Sequence, residues 1–382
     1  MTIKRKIMIV AGEASGDGHA AKLVRAFVDA EPVTIFEFFG AAGPKMRGEG
    51  VQAIVQSDDL SVVGVAEIAQ ALPMFLAASR RLKRAALDRK PDAVVLVDFP
   101  DFNLRLAKWL KNHGFTVIYY ISPQLWAWRK YRVSTIRKYV DLLLTILPFE
   151  KAWYAANGVE HVEYVGNPLT NEVGSTISKA EFCQKNGIGP DDQIISLLPG
   201  SRHKEIVRIL PVMLEAGAKL PELQFVIAVA SGKNRSDVNE IISSSINLPA
   251  KLLVVENQTY DALAVSDAAV VTSGTATLET GIIGTPMIVV YKSSALNYAL
   301  LKPLISVEHY GLINLIAGER VAKELIQNDF TPDSVSAELL RLLDQETNRE
   351  FRDRLREVRE KLGEGGASKR AADAILKLFD GF

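Results

Sequence analysis

The chain of 382 residues has one cysteine, Cys183, so it forms no internal disulfide and suits a reducing compartment better than a secreted one. It reads as cytoplasmic. No window approaches the roughly 18 apolar residues of a membrane-spanning helix, so any membrane contact is expected to be peripheral. The opening stretch, MTIKRKIMIVAGEASGD, has an apolar run of only about six residues before a Gly-containing turn, which reads as a buried strand and not as a signal peptide. Net charge is also absent, formally zero, which argues against a nucleic-acid footprint over the whole molecule.

What is present is the profile of a compact globular protein, 48% hydrophobic and 24% charged, long enough for two domains of about 150 to 200 residues. The neutral average hides an asymmetry. Residues 1–168 carry 22 Lys and Arg against 17 Asp and Glu, leaving the remainder acidic by the same margin, and such a split can steer one half toward an anionic surface.

Short apolar runs without alternation recur along the first half, most of them about 20 to 30 residues apart: KIMIVA from Lys6, FEFFG from Phe36, AVVLVD from Ala93, FTVIYYIS from Phe115 and DLLLTIL from Asp141. Such runs are strands covered on both faces, hence a parallel sheet. Helical patterns lie between them. The pattern breaks across GNPLTNEVGSTISKAE around Pro168, a candidate linker, and restarts with QIISLL from Gln193, LQFVIAVA from Leu223, KLLVVE from Lys251, DAAVVT from Asp267 and TPMIVVY from Thr285. The expectation is α/β, two Rossmann-like doubly wound domains facing a central cleft: residues 1–168, residues 169–350, and charged helices over 351–382 that return to the first domain or join a homodimer.

The chemistry is expected in the loops after the strands. In GEASGDGH, Gly12, Ser15, Gly16 and Asp17 open a helix whose exposed N–H groups favour an anion, although a tight structural turn needs the same glycines. His19 follows as a candidate base. PGSRHKE sets Arg202 and Lys204 at the equivalent place in the second half, an arrangement that can hold a diphosphate and stabilise its growing charge, with Glu205 starting the helix. In SGTATLETG, Ser273, Gly274 and Thr275 form a small-residue turn, and Glu279 one turn on can accept two ribose hydroxyls; nucleotide binding is the expected role. VDFPDFN ends a strand with Asp98, a candidate general base, followed by Asp101, which can instead cap a helix.

Two first-half segments suit an amphiphilic ligand or a membrane. SPQLWAWRKYR carries Trp126, Trp128 and Arg129, with one Trp expected in the core. The stretch from Val62 places Val65, Ile68, Leu72, Phe75 and Leu76 at helical spacing ahead of Arg80 and Arg81, the pattern of an interfacial helix and equally of a core-facing amphipathic one.

GEASGD, VDFPDFN, SPQLWAWR, LPFEK, PGSRHKEI, SGTATLE and INLIAG occur in an order and spacing that resemble the lipid-A-disaccharide synthase family, from the first strand to about residue 345. The resemblance implies a GT-B fold and transfer of 2,3-diacylglucosamine from UDP-2,3-diacylglucosamine to 2,3-diacylglucosamine 1-phosphate. The products are a β(1→6) disaccharide and UDP, formed at the inner leaflet of the inner membrane by a peripherally bound enzyme. It implies Asp98 as the base, with His19 as rival or helper, and puts Asn314 of INLIAG in the cleft. Two departures stand out: Ile313 replaces a Pro common in the family, and VENQTYDAL from Val255 lacks glycines that some members carry near the uracil. Rivals are a UDP-N-acetylglucosamine 2-epimerase, a peptidoglycan glycosyltransferase, and a lipid-binding module, the last opposed by the retention of Arg202 and Glu279. No Asp-x-Asp pair occurs, so a metal bridge to a leaving diphosphate lacks its usual ligands, and neither metal nor cofactor is expected. Turnover should therefore survive EDTA at full rate, and its abolition by EDTA would oppose this reading.

Overall fold

A computed structural model describes residues 3–60, 68–229, 232–294, 298 and 308–380. The chain divides into two compact units, residues 1–168 with 364–382, and residues 169–363.

The first unit is built on a parallel sheet of β1 (Lys4–Ala11), β2 (Ile35–Ala42), β3 (Gln52–Gln56), β4 (Ala93–Val97), β5 (Val117–Tyr120), β6 (Leu142–Thr145) and β7 (Val162–Tyr164), in the order β3-β2-β1-β4-β5-β6-β7. The unalternating runs are explained by burial on both faces. Ile7 and Ile9 pack with the helix Ala14–Ala30 on one side, whereas Met8 and Val10 pack with residues of the helices Ile68–Arg89 and Pro100–Asn112 on the other. Strand order reverses between β1 and β4, where Ala11 pairs with Val97, so the GEASGD and VDFPDFN loops leave the sheet side by side.

The second unit repeats the plan. Its parallel strands are β8 (Ile194–Leu198), β9 (Gln224–Val229), β10 (Lys251–Glu256), β11 (Ala268–Thr272), β12 (Met287–Tyr291) and β13 (Lys323–Ile326), in the order β10-β9-β8-β11-β12-β13. Leu198 pairs with Val271 at the reversal, and Thr272 Oγ1 donates to Leu198 O at 2.9 Å, so the PGSRHKE and SGTATLE loops are neighbours in turn.

The segment expected as one block over 351–382 is shared between the units. The helix Gln345–Lys361 belongs to the second, where Arg352 donates to the carbonyls of Gly284 (2.9 Å) and Ser266 (3.0 Å). The helix Ala367–Asp380 lies in the first, packing Ala371, Ala372 and Ile375 into the core around Ile7 and Phe27, with Arg370 Nε donating to Val165 O at 2.8 Å. Ile375→Ala should consequently lower the stability of the first unit by about 2–4 kcal/mol. Hydrogen exchange would show protection reduced across residues 1–168 and 364–382 and kept across 169–363.

Candidate active site

The loops after β8, β10 and β11 enclose a cavity of about 640 Å³ in the second unit, lined among others by Arg202, Ser273, Gly274, Thr275 and Glu279. Five of the residues singled out for a nucleotide thus meet in one place. Lys204 is exposed on the first turn of the helix His203–Ala218 and is not among the lining residues. Gly200 has φ +110°, and a Cβ there would stand 2.6 Å from Glu205 Oε2. That crowding marks how Glu205 folds back over the turn, accepting from the amides of Ser201 (3.2 Å) and Arg202 (3.3 Å) and from Arg202 Nη1 (2.9 Å). Glu205 thereby caps the helix and orients Arg202, whose side chain remains largely exposed.

Glu279 lies mostly buried on the helix Thr275–Ile283, one turn beyond Thr275. Burial holds its carboxyl above the ordinary range, the Tyr260 hydroxyl donating at 3.1 Å draws it back, and the charge of Glu172 pushes it up again. Ser273 is fixed by donating to Tyr310 O at 2.6 Å. Reading the sequence for glycines and charge misses a further part of the lining, Asn257, Gln258, Thr259, Tyr260 and Asp261. Asp261 also draws in part of the presumed linker, accepting from Thr176 N at 2.7 Å and Ser175 Oγ at 2.9 Å. The available signal was VENQTYDAL, a polar stretch in a βα loop position.

In the first unit Asp98 follows β4 with φ +47° and Phe99 follows with φ +50°, two consecutive non-glycine residues in the left-handed region. Several bonds hold this turn. Asp98 N donates to Tyr120 O at 3.0 Å, and the Asp98 carbonyl accepts from Tyr119 Oη (2.6 Å) and Asn103 Nδ2 (2.8 Å). A Cβ on Gly12 would lie 2.2 Å from the Phe99 ring, so this glycine makes room for an aromatic side chain and not for a ligand. Burial, reinforced by the negative charge of Glu13, raises the Asp98 pKa to about 6. Asp101 binds Arg129 Nη1 at 2.8 Å and Arg132 Nη2, and these cations outweigh its burial and hold its carboxyl below the usual range.

The other expected site residues lie in varied surroundings. Asp17 is buried, accepting from the amides of Gly43 (2.8 Å), Lys45 (2.9 Å) and Met46 (3.1 Å), because its helix face turns toward that segment. Asn314 is fully buried and bonds both N and O of Ala322 (each 2.8 Å), as well as Glu324. Ser15 is exposed and His19 half-buried on the helix Ala14–Ala30, while Gly16 packs against the ends of β1 and β4. Trp126 is buried, its indole donating to Glu150 at 3.1 Å and its ring edge-on to Phe149, whereas Trp128 is 44% exposed beneath the Arg129 guanidinium. Glu150, buried against Trp126 and the 146–147 amides, has its pKa raised to about 7 because burial outweighs those bonds.

Of the apolar stripe, Val65 lies outside the described residues, as does the side chain of Ile68. Leu72 and Leu76 are each 49% exposed, and Arg80 and Arg81 are exposed beyond them. Phe75 departs from the stripe. It packs at 6.1 Å from Phe99 and 6.3 Å from Phe102, because this helix face meets the aromatic turn beside Asp98. Among the described residues no helix is long and apolar enough to cross a membrane.

The family model for lipid-A-disaccharide synthetase matches residues 7–378. A lipid-A-disaccharide synthase of Trichlorobacter lovleyi is 43% identical, covering 98% of each chain, and one of Syntrophus aciditrophicus is 45% identical, covering 97% of each. Among solved structures, Staphylococcus aureus MnaA in complex with UDP has a TM-score of 0.67 at 15% identity, covering 98% of this chain and 97% of that one. That likeness carries the fold, two parallel-sheet α/β units of the GT-B kind. With the motif order, the paired switch-point loops and near full-length identity in agreement, the chain belongs to the lipid-A-disaccharide synthetase family.

Proposed function

We propose that this chain transfers 2,3-diacylglucosamine from UDP-2,3-diacylglucosamine to the 6-hydroxyl of 2,3-diacylglucosamine 1-phosphate, giving the β(1→6) lipid A disaccharide and UDP. Beyond membership of the family, the observation that carries the reading is the second-unit cavity. It gathers a guanidinium at a helix start, a small-residue turn and a buried carboxylate around one space of nucleotide size. Arg202 is the group for the diphosphate as its charge grows on leaving, and Glu279, steadied by Tyr260, is the acceptor for the ribose hydroxyls.

An α-linked donor giving a β product requires one in-line displacement and one base on the acceptor hydroxyl. Asp98 suits that role because its half-buried carboxyl has a proton affinity near neutrality and its direction is fixed by a clamped backbone. His19 is the rival. Exposed Leu72 and Leu76, followed by Arg80 and Arg81, support peripheral contact with the acidic inner leaflet, where both acylated substrates reside.

The direct test is UDP release in detergent micelles with and without the acceptor; release that needs the acceptor supports transfer, and release without it supports an epimerase-like or hydrolytic reaction. Asp98→Asn should lower turnover by about 10²- to 10⁴-fold while UDP affinity is kept. In the unmodified chain the base must be ionised, so kcat/KM should rise with pH through a pKa of about 6, and that limb should vanish in the variant. Near-normal turnover of Asp98→Asn, with loss in His19→Ala, would exchange the two roles. Glu279→Gln should weaken UDP by about 10- to 100-fold in calorimetry, and the loss should disappear for a uridine diphosphate lacking its ribose hydroxyls.

A further inference from the structure

The acceptor in the proposed reaction carries a phosphate monoester on its anomeric carbon, on the other side of the ring oxygen from the carbon whose hydroxymethyl group Asp98 would deprotonate. The base alone does not account for recognition of that charge. The first unit has a cationic pair beside it. Arg129 Nη1 and Arg132 Nη2 both bond the same oxygen of Asp101, on the first turn of the helix Pro100–Asn112. Three residues of chain keep the Cα atoms of Asp98 and Asp101 within about 11 Å, a span that a hexose 1-phosphate can bridge. Asp98, Asp101 and Arg132 also act electrostatically on one hydroxyl, that of Tyr119, which itself donates to the Asp98 carbonyl.

The ion cluster is unbalanced. Two guanidiniums offer ten N–H donors to a carboxylate that uses one oxygen, whereas a phosphate monoester presents three terminal oxygens and up to two charges, the partner that paired arginines match best. Both arginines are also held before any ligand arrives. Arg129 has φ +59° and its guanidinium lies 4.1 Å from the Trp128 ring centre, and the Arg132 side chain, closing the turn Lys130–Arg132, is only 19% exposed. Asp101, by contrast, has a side chain 63% exposed, so a stronger anion displaces it from its partners at small cost.

We propose that Arg129 and Arg132 seat the 1-phosphate of the acceptor, with Asp101 as the counter-ion that holds the two guanidiniums until that phosphate arrives. This rests on the reaction proposed above and adds the source of its preference for a phosphorylated sugar. An anionic phospholipid headgroup offers related chemistry, so the experiment separates the two.

In micelles of neutral detergent, kcat/KM is measured for 2,3-diacylglucosamine with and without its 1-phosphate, using the unmodified chain, Arg132→Ala, Arg129→Ala and Arg132→Lys. The unmodified chain should prefer the phosphorylated acceptor, and each Ala variant should shrink that preference by about 10- to 100-fold, chiefly through KM, with partial recovery in Arg132→Lys. A ratio taken on one preparation is indifferent to the fraction folded. Equal losses on both acceptors, or a preference left intact, would overturn the proposal. It would also fall if the Ala variants altered only binding to vesicles containing anionic phospholipid and left the preference unchanged. Turnover of neither acceptor by the unmodified chain would overturn the reaction itself, and the phosphate seat with it.

Discussion

Two strand pairings govern where chemistry can occur in this molecule: Ala11 with Val97, and Leu198 with Val271. Each joins strands whose connections run in opposite directions, so helices diverge on either side and leave a crevice at the carboxyl ends. Both faces of the central strands are covered, so the groups proposed for the chemistry come from the loops and helix starts beyond the strand ends. The chain uses this twice. The proposed base follows β4 beside the loop of β1, and the turn proposed for the diphosphate follows β8 beside the helix of β11 that carries Glu279.

The two loops after β1 and β4 solve a harder problem than proximity. A carboxylate at the end of a buried strand would continue along the strand unless the backbone turned sharply, and Asp98 and Phe99 make that turn with positive φ at both positions. Such a conformation is costly for non-glycine residues and persists only where surroundings over-determine it. Here Tyr119 and Asn103 bond the Asp98 carbonyl, Phe99 fills the space vacated at Gly12, and Phe75 and Phe102 pack around it. The aromatic residues of VDFPDFN therefore hold the turn that aims Asp98, and the Asn at its end donates to the backbone of that turn.

Much of this plan was legible in residue order. Unalternating Val, Ile and Leu runs mark strands covered on both sides, and small or charged residues directly after them mark the loops, which is enough to find Asp98, Arg202, Ser273 and Glu279. What residue type does not disclose is the direction in which a side chain leaves the backbone. Asp17 and Asn314 stand in suggestive motifs, yet both lie on helices and their polar atoms satisfy buried amides and carbonyls, because unpaired backbone groups are costly to bury. Tyr260 has no signal in the sequence because a tyrosine in a polar stretch has no distinctive spacing; only the fold brings it to Glu279. The last helix shows the same boundary, since its apolar stripe of Ala371, Ala372 and Ile375 announces burial without naming the core it joins.

The two carboxyls of the proposed site show how similar environments suit different proposed roles. Burial raises the proton affinity of both Asp98 and Glu279, and a neighbouring acid, Glu13 for one and Glu172 for the other, adds to it. They differ in what opposes that shift. Asp98 has the amide of Phe99 as its counterweight and remains poised near pH 6, where a base both holds its charge at neutral pH and retains the affinity to take a proton. Glu279 has the Tyr260 hydroxyl, a donor that favours the ionised form and fixes one oxygen in place. A group that must accept hydrogen bonds through the whole reaction needs that constancy, whereas a group that must change its protonation state during it would be hindered by the same bond.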